Sequence, residues 1–137
     1  KHVDFGGSSV LDLGGGDGEL LFNCVLDGQT PRKYTCIDLM PELCSVGCER
    51  FSKLESVDIK FIPGEMLSAI RAFKDGCYDF VVAAGALDIV ETNSVEHWQF
   101  MRNVITEMYR VASRAIVLAV SSIQTLPNRT APSCEKI

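Results

Sequence analysis

The stretch Val10-Leu11-Asp12-Leu13-Gly14-Gly15-Gly16-Asp17-Gly18-Glu19-Leu20 runs from an apolar segment straight into four glycines within five residues. Glycine weakens both helix and strand interiors, so this segment suits a tight turn over which something approaches the backbone closely. Placed between a buried strand and a helix, such a turn presents helix-terminal amides to a ligand.

The rest of the chain supplies that setting. Apolar, β-branched runs alternate with stripes of helical period, the pattern of a parallel sheet covered on both faces. The runs predict strands over Ser9–Leu13, Lys33–Asp38, Asp58–Pro63, Tyr78–Ala84 and Arg114–Val120. Between them, helices are predicted over Glu19–Leu26 and Pro41–Leu54, the latter with Leu43, Cys44, Gly47, Cys48, Phe51 and Leu54 on one face. Met66, Leu67, Ile70 and Phe73 form a short third stripe. Met101, Val104, Ile105, Met108 and Val111 form a longer fourth, with Thr92, Asn93 and Ser94 as alternative caps. Right-handed crossovers turn this order into a doubly wound α/β sheet, whose ligands sit beyond the carboxyl ends of the strands. The glycine turn lies there.

With 137 residues, one core is expected. A hydrophobic share of 47% and a charged share of 23% exclude a disordered chain. The net charge of −5 leaves no basic surface for nucleic acid or anionic lipid, which favours a small-molecule partner. No apolar run approaches the roughly 20 residues of a membrane span, and Lys1-His2-Val3-Asp4 has no signal-peptide character, so a soluble cytoplasmic protein is expected. The six cysteines, Cys24, Cys36, Cys44, Cys48, Cys77 and Cys134, form no CxxC pair and read as buried thiols. Cys44 and Cys48 would share a helix face, but without a nearby histidine no metal site is expected. Asn128-Arg129-Thr130 is a chance match to a glycosylation acceptor in the absence of a secretory signal.

The spacing of the glycines separates two kinds of nucleotide turn. The dinucleotide fingerprint GxGxxG needs glycine at position 19, where Glu19 stands. The pattern is instead Asp12-x-Gly14-x-Gly16-x-Gly18, with Gly15 between. This DxGxGxG arrangement resembles the first motif of class I S-adenosylmethionine-dependent methyltransferases. Asp38, closing Tyr34-Thr35-Cys36-Ile37-Asp38, is similar to the family carboxylate that accepts two hydrogen bonds from a ribose diol. Leu39 and Met40 would then border the adenine. Gly64-Glu65-Met66 resembles the family's Gly-Asp-Ala segment, which implies that Glu65 accepts from the adenine amino group and Met66 packs on the ring. Tyr78–Leu87 resembles the fourth motif, placing Ala84 and Gly85 beside the methionine part and the transferable methyl. Asp12 and the backbone around Gly14 correspond to the amino-acid end, where a carboxylate orients the ammonium directly or through water.

The resemblance runs from about Val10 to Val120 and implies a Rossmann-like fold with strand order 3-2-1-4-5, S-adenosyl-L-methionine as cofactor and no metal. Residues 1–120 would form the cofactor-binding domain and 121–137 a tail or the truncated remainder of it. That remainder, with Pro127 and Pro132, lacks a strand pattern, so the family's usual C-terminal antiparallel hairpin is expected to be absent. The chain then reads as a fragment of a larger enzyme, a minimal domain, or a sequence with segments missing. Its fifth strand would be an edge for a partner chain or further domain to cover.

The expected reaction is methyl transfer to a small-molecule acceptor by direct displacement. The fourth motif lacks the Asn/Asp-Pro-Pro-aromatic run of enzymes acting on exocyclic base amines, and no Pro-Cys pair supplies a nucleophile for cytosine. The Asp-Ser segment of aminopropyltransferases such as spermidine synthase is here Ala84-Gly85. Asp88 and His97 are the candidates for a base or substrate contact. Trp98 and Phe100 either line an apolar acceptor pocket or cover the sheet. Two alternatives remain: a non-catalytic methyltransferase-like binding or regulatory module, and an NAD-dependent reductase, which Glu19 disfavours.

Overall fold

A strand that is apolar at nearly every position is stable only with both faces covered, and the chain meets this demand with alternating strands and helices. The computed structural model describes residues 2–87 and 95–119. Its elements are β1 (Ser9–Leu13), α1 (Glu19–Leu26), β2 (Lys33–Asp38), α2 (Pro41–Arg50), β3 (Asp58–Pro63), α3 (Met66–Arg71), β4 (Tyr78–Ala84), α4 (Val95–Val111) and β5 (Ala112–Ala119). The strands pair in parallel in the order β3-β2-β1-β4-β5, as the resemblance implies. Among the described residues the sheet ends at β5, without an antiparallel hairpin. No helix among them is long and apolar enough to cross a membrane.

Alternation along β1 divides the core in two. Leu11 and Leu13 pack with Ile70 of α3 and with Met101, Val104 and Met108 of α4. Val10 packs on the opposite face with Leu21 and Cys24 of α1 and with Phe51 just after α2. Asp12 follows Val10 by two and therefore faces the α1 and α2 layer, where it is only 3% exposed. At the amino ends of the strands, the Asp79 carboxylate accepts from the Ser9 amide (2.8 Å) and hydroxyl (3.1 Å), locking β4 against β1. At the carboxyl ends, the Gly14 amide donates to the Ile37 carbonyl (2.7 Å) and the Gly64 amide to the Asp38 carbonyl (2.9 Å). The turns leaving β1, β2 and β3 are thereby held together.

Two element boundaries depart from expectation. β5 begins at Ala112 rather than Arg114, because α4 passes into it directly at Val111. The Arg110 guanidinium fixes that junction: it donates to the carbonyls of Phe73 (2.7 Å) and Ile70 (3.2 Å) and to the carboxylates of Asp75 (2.8 Å) and Glu107 (2.6 Å). α2 ends at Arg50 rather than Leu54, its last turn tightening as the Ser52 amide reaches the Glu49 carbonyl (3.2 Å). This swings Phe51 onto Phe61, their rings stacked 6.3 Å apart.

Cys24, Cys36 and Cys44 are buried, whereas Cys48 and Cys77 are exposed and correct the expectation of buried thiols there. α2 lies over the β2 and β3 edge of the sheet, so only its narrow Cys44 and Gly47 stripe is covered, and Cys48 turns out. Burial pushes the Cys24 thiol up to about 11 and raises Cys36 and Cys44 as well, so these pack as inert hydrophobes. Val120, the caps Thr92, Asn93 and Ser94, the Asn128–Thr130 match and Cys134 lie outside the described residues.

The packing of α2 on β3 depends on Gly47, where a Cβ would enter the Phe61 ring. Helix propensity alone favours alanine over glycine by about 1 kcal/mol. Because Phe61 is held between Phe51 and Tyr34, overpacking is expected to prevail, with Gly47→Ala losing about 1–3 kcal/mol. Urea denaturation measures this; a variant as stable as the wild type, or more so, contradicts the packing described.

Candidate functional site

Two cavities meet at the glycine turn. One, of about 340 Å³, lies over the ends of β2 and β3 and is lined by Gly14, Asp38, Leu39, Glu65, Met66 and Phe100 among others. The second, of about 470 Å³, lies toward α1 and is lined by Asp12, Gly14–Gly16, Asp17, Glu19, Asn23 and Ala84 among others. Gly14 borders both. Its φ of +69° excludes most side chains, and a Cβ there would stand 2.5 Å from the Cβ of Ala86, in the segment leaving β4. The absent side chain lets the turn leaving β1 and the segment leaving β4 close on each other and leaves the backbone open along the line joining the cavities.

Asp38 stands at the end of β2, half-buried. Its Oδ2 accepts from the Gly16 amide (2.9 Å) and its Oδ1 from the Met40 amide (2.9 Å). Each carboxylate oxygen has two lone-pair directions, so both keep capacity for a further donor, and a pair of neighbouring hydroxyls matches their spacing. The same bonds fix the carboxylate relative to the turn, which makes Asp38 part of the architecture as well as a candidate ligand.

Asp12 has a different environment. Its Oδ2 accepts a 2.6 Å hydrogen bond from the buried hydroxyl of Tyr34, and Gly15 packs on its carboxylate and on the Cys36 sulfur. The Cys36 thiol donates in turn to the Gly16 carbonyl (3.6 Å). Burial pushes the Asp12 carboxyl up to about 6; the Tyr34 hydrogen bond opposes the rise, and the Asp38 charge adds to it. Tyr34 is raised beyond its ordinary range by burial and by the same carboxylate. Sequence patterning had no means of finding Tyr34 as the partner of Asp12, since the contact crosses from β2 to β1.

The other expected site residues divide. Leu39, 72% exposed, and Met66 line the first cavity as apolar walls. Glu65 lines it too, but its carboxylate caps α3, accepting from the amides of Leu67 (2.9 Å) and Ser68 (2.9 Å). Slight burial raises its carboxyl, but those amides outweigh the effect and leave it below the usual range. Met40 is exposed and borders neither cavity. Gly16 lines the second cavity, whereas Gly18 is buried at the start of α1, where its missing side chain makes room for the Phe51 and Phe61 rings. Ala84 lines the second cavity; Gly85 lies just beyond β4, its amide donating to the Ala119 carbonyl (2.8 Å). His97 is half-buried on α4, Trp98 is 46% exposed, and Phe100 reaches the first cavity. Asp88 lies outside the described residues. Asp17, Asn23 and Ala86 enter the site without having been singled out, because turn and helix-start residues carry no signal of which way they point.

A family model described as a methyltransferase domain matches residues 4–137. The chain belongs to the methyltransferase domain family. No curated protein matches it. Among solved structures, an S-adenosylmethionine-dependent methyltransferase from Aquifex aeolicus is 23% identical at a TM-score of 0.59, covering 86% of this chain and 57% of that one. An arsenic(III) S-adenosylmethionine methyltransferase from Chlamydomonas reinhardtii is 25% identical at a TM-score of 0.58, covering 82% and 37%. The bifunctional kinase-methyltransferase WbdD is 19% identical at a TM-score of 0.64, covering 89% and 26%. The chain thus spans between about a quarter and about three fifths of the length of these structures.

The methyltransferase family and its S-adenosylmethionine-dependent neighbours imply S-adenosylmethionine as cofactor, and the residues present fit it. Paired cavities joined over Gly14 suit an elongated ligand, with the half-buried Asp38 carboxylate, able to accept further donors, on one side and the buried Asp12 carboxylate on the other. The second cavity also carries Asp17 and Glu19, which share one cation, Arg50 Nη1, 3.3 Å from each. Acids outnumber that cation, which suits an ammonium or sulfonium and opposes a pyrophosphate.

The raised carboxyl of Asp12 has a measurable consequence. Its contribution to folding is fully present below the ordinary value of 3.8 and is lost as pH rises through about 6. Above that, keeping the buried carboxylate ionised costs about 3 kcal/mol. Asp12→Asn, neutral and still able to accept from Tyr34, is expected to be up to about 3 kcal/mol more stable than wild type near pH 8, with the difference vanishing toward pH 4. Urea denaturation across that range tests this; curves that stay parallel throughout contradict it.

Proposed function

We propose that this chain is the cofactor-binding domain of an S-adenosylmethionine-dependent methyltransferase acting on a small-molecule acceptor. The observation carrying the proposal is the pair of cavities meeting at Gly14, with the Asp38 carboxylate bordering one and the Asp12 carboxylate the other. When bound, the cofactor supplies a methyl on a positively charged sulfonium that is its own leaving group. The chain's task is therefore binding, alignment and exclusion of water.

Asp38 receives the ribose hydroxyls, held in place by the Gly16 and Met40 amides. Leu39, Met66 and Phe100 shield the adenine side, Met40 contributes through its amide on Asp38, and Glu65 accepts from the adenine amino group while continuing to cap α3. Asp12, ionised above pH 6 and oriented by Tyr34, receives the ammonium directly or through water. Gly14, Gly15 and Gly16 offer the backbone between these ends, Gly18 starts α1 behind them, and Ala84 and Gly85 border the methionine part. Residues 1–120 form this domain, with 121–137 as its remainder. Asp88 and His97 stay the candidates for a base or acceptor contact, and the β5 edge for a partner chain or further domain.

A small acceptor is favoured by the net charge of −5, which offers nothing to a polyanion, and by the arsenic(III) methyltransferase among the neighbours. Calorimetric titration tests the proposal: S-adenosylhomocysteine is expected to bind and NAD not, with Asp38→Ala weakening the former by about tenfold or more, the value of one charged hydrogen bond. Binding of NAD instead, or of neither ligand, overturns it. Binding of S-adenosylhomocysteine without methyl transfer to any small acceptor assigns the chain to the non-catalytic alternative.

A further inference from the structure

At the opposite end of the sheet, where β2, β3 and β4 begin, lies a third cavity of about 310 Å³. Lys33, Lys60 and Lys74 line it, together with Thr35, Phe73 and Tyr78. No carboxylate is among its lining residues, although acids outnumber bases 18 to 13 in the chain. Two acids lie nearby without lining the cavity. Asp75 is bound 2.8 Å from Arg110. Asp58, in register with Lys33 on the same face, is exposed at the start of β3, one acid against three lysines.

The polar groups of this cavity are donors. Lysine ammonium groups only donate. The Tyr78 hydroxyl donates to Thr35 Oγ1 at 2.7 Å, so the buried Thr35 hydroxyl keeps its own proton to give. The floor is apolar and aromatic. Phe73 and Tyr78 meet edge to face at 5.4 Å, and Lys33 Nζ stands 4.9 Å above the Tyr78 ring. α3 is only six residues long and ends at Arg71, which leaves this part of the β2 and β3 face uncovered.

We propose that this cavity binds a small organic anion, a phosphate or carboxylate carried on a compact apolar or aromatic body. The lysines and Thr35 receive the charged head, and the Phe73 and Tyr78 rings receive the body. The volume is at the small end of ligand pockets, roughly 300–1,000 Å³, which limits the body to about one ring. The cavity shares no lining residue with the two cavities that meet at the glycine turn, so its ligand binds alongside the cofactor rather than in competition with it.

The test is a titration of the full 137-residue chain, with phenyl phosphate and separately with phenylacetate, followed by amide nitrogen-proton shifts. Saturable shifts are expected at Lys33, Lys60, Lys74 and Cys77 with at least one probe, and the stronger of the two identifies the head group. Lys60 and Lys74 are exposed, so Lys60→Gln and Lys74→Gln should leave the fold intact. Each is expected to weaken the probe by about tenfold. Affinity for S-adenosylhomocysteine should stay unchanged in both variants, which separates this site from the methyltransferase cleft. Shifts that do not saturate with either probe, that map to the glycine turn, or that are the same in the variants overturn the proposal.

Discussion

The central strand β1 is paired on both sides and covered on both faces, so the chain leaving it has one exit, between the ends of β2 and β4. Everything at the site follows from how that exit is made. The turn must bend at once, pass beside Ala86 and return over β2 into α1, and only glycine at position 14 permits the bend and the approach together. The Gly14 amide on the Ile37 carbonyl and the Gly16 amide on the Asp38 carboxylate then hold the turn to β2. A crevice at this reversal of strand order is the general consequence of the topology. In this chain each of the two cavities meeting there is bordered by an aspartate at or near the end of a strand.

Those two carboxylates sit in different surroundings. Asp38 is half-buried and solvated on one side, with two backbone amides on its oxygens. Asp12 is enclosed, with its carboxyl pushed up to about 6, and its strongest partner is the Tyr34 hydroxyl. A buried carboxylate with so little compensation is a cost to folding that an apolar residue would not carry. Its presence in the middle of the sheet, beside a cavity, points to a use for the charge. The neighbouring Asp17 and Glu19 continue the same sign along the cavity.

Much of this was legible in the sequence because it is local. The Ser9–Leu13 and Tyr78–Ala84 strands, the glycine turn and Asp38 at the end of β2 are set by runs of a few residues, and the structure places them where the pattern does. The residues that escaped are those decided by distant contacts. The close of α2 at Arg50 depends on Phe51 reaching Phe61, and the start of β5 at Ala112 on Arg110 reaching the end of α3. Glycine spacing did not reveal that Gly15 and Gly18 are small because Asp12, Cys36, Phe51 and Phe61 fill the space beside them. Glu65 read as an adenine contact from its motif, yet both its oxygens bond amides of α3, a role its place just before a helical stripe equally fits. The lysine cavity has no linear signature, since its three cations come from different elements.

The most direct test of the account is a crystal structure of the chain with S-adenosylhomocysteine. The account requires the ribose hydroxyls on the Asp38 carboxylate, the ligand running over Gly14, and its ammonium on the Asp12 side of the turn. A ligand seated elsewhere, or one whose ribose makes no contact with Asp38, would contradict it.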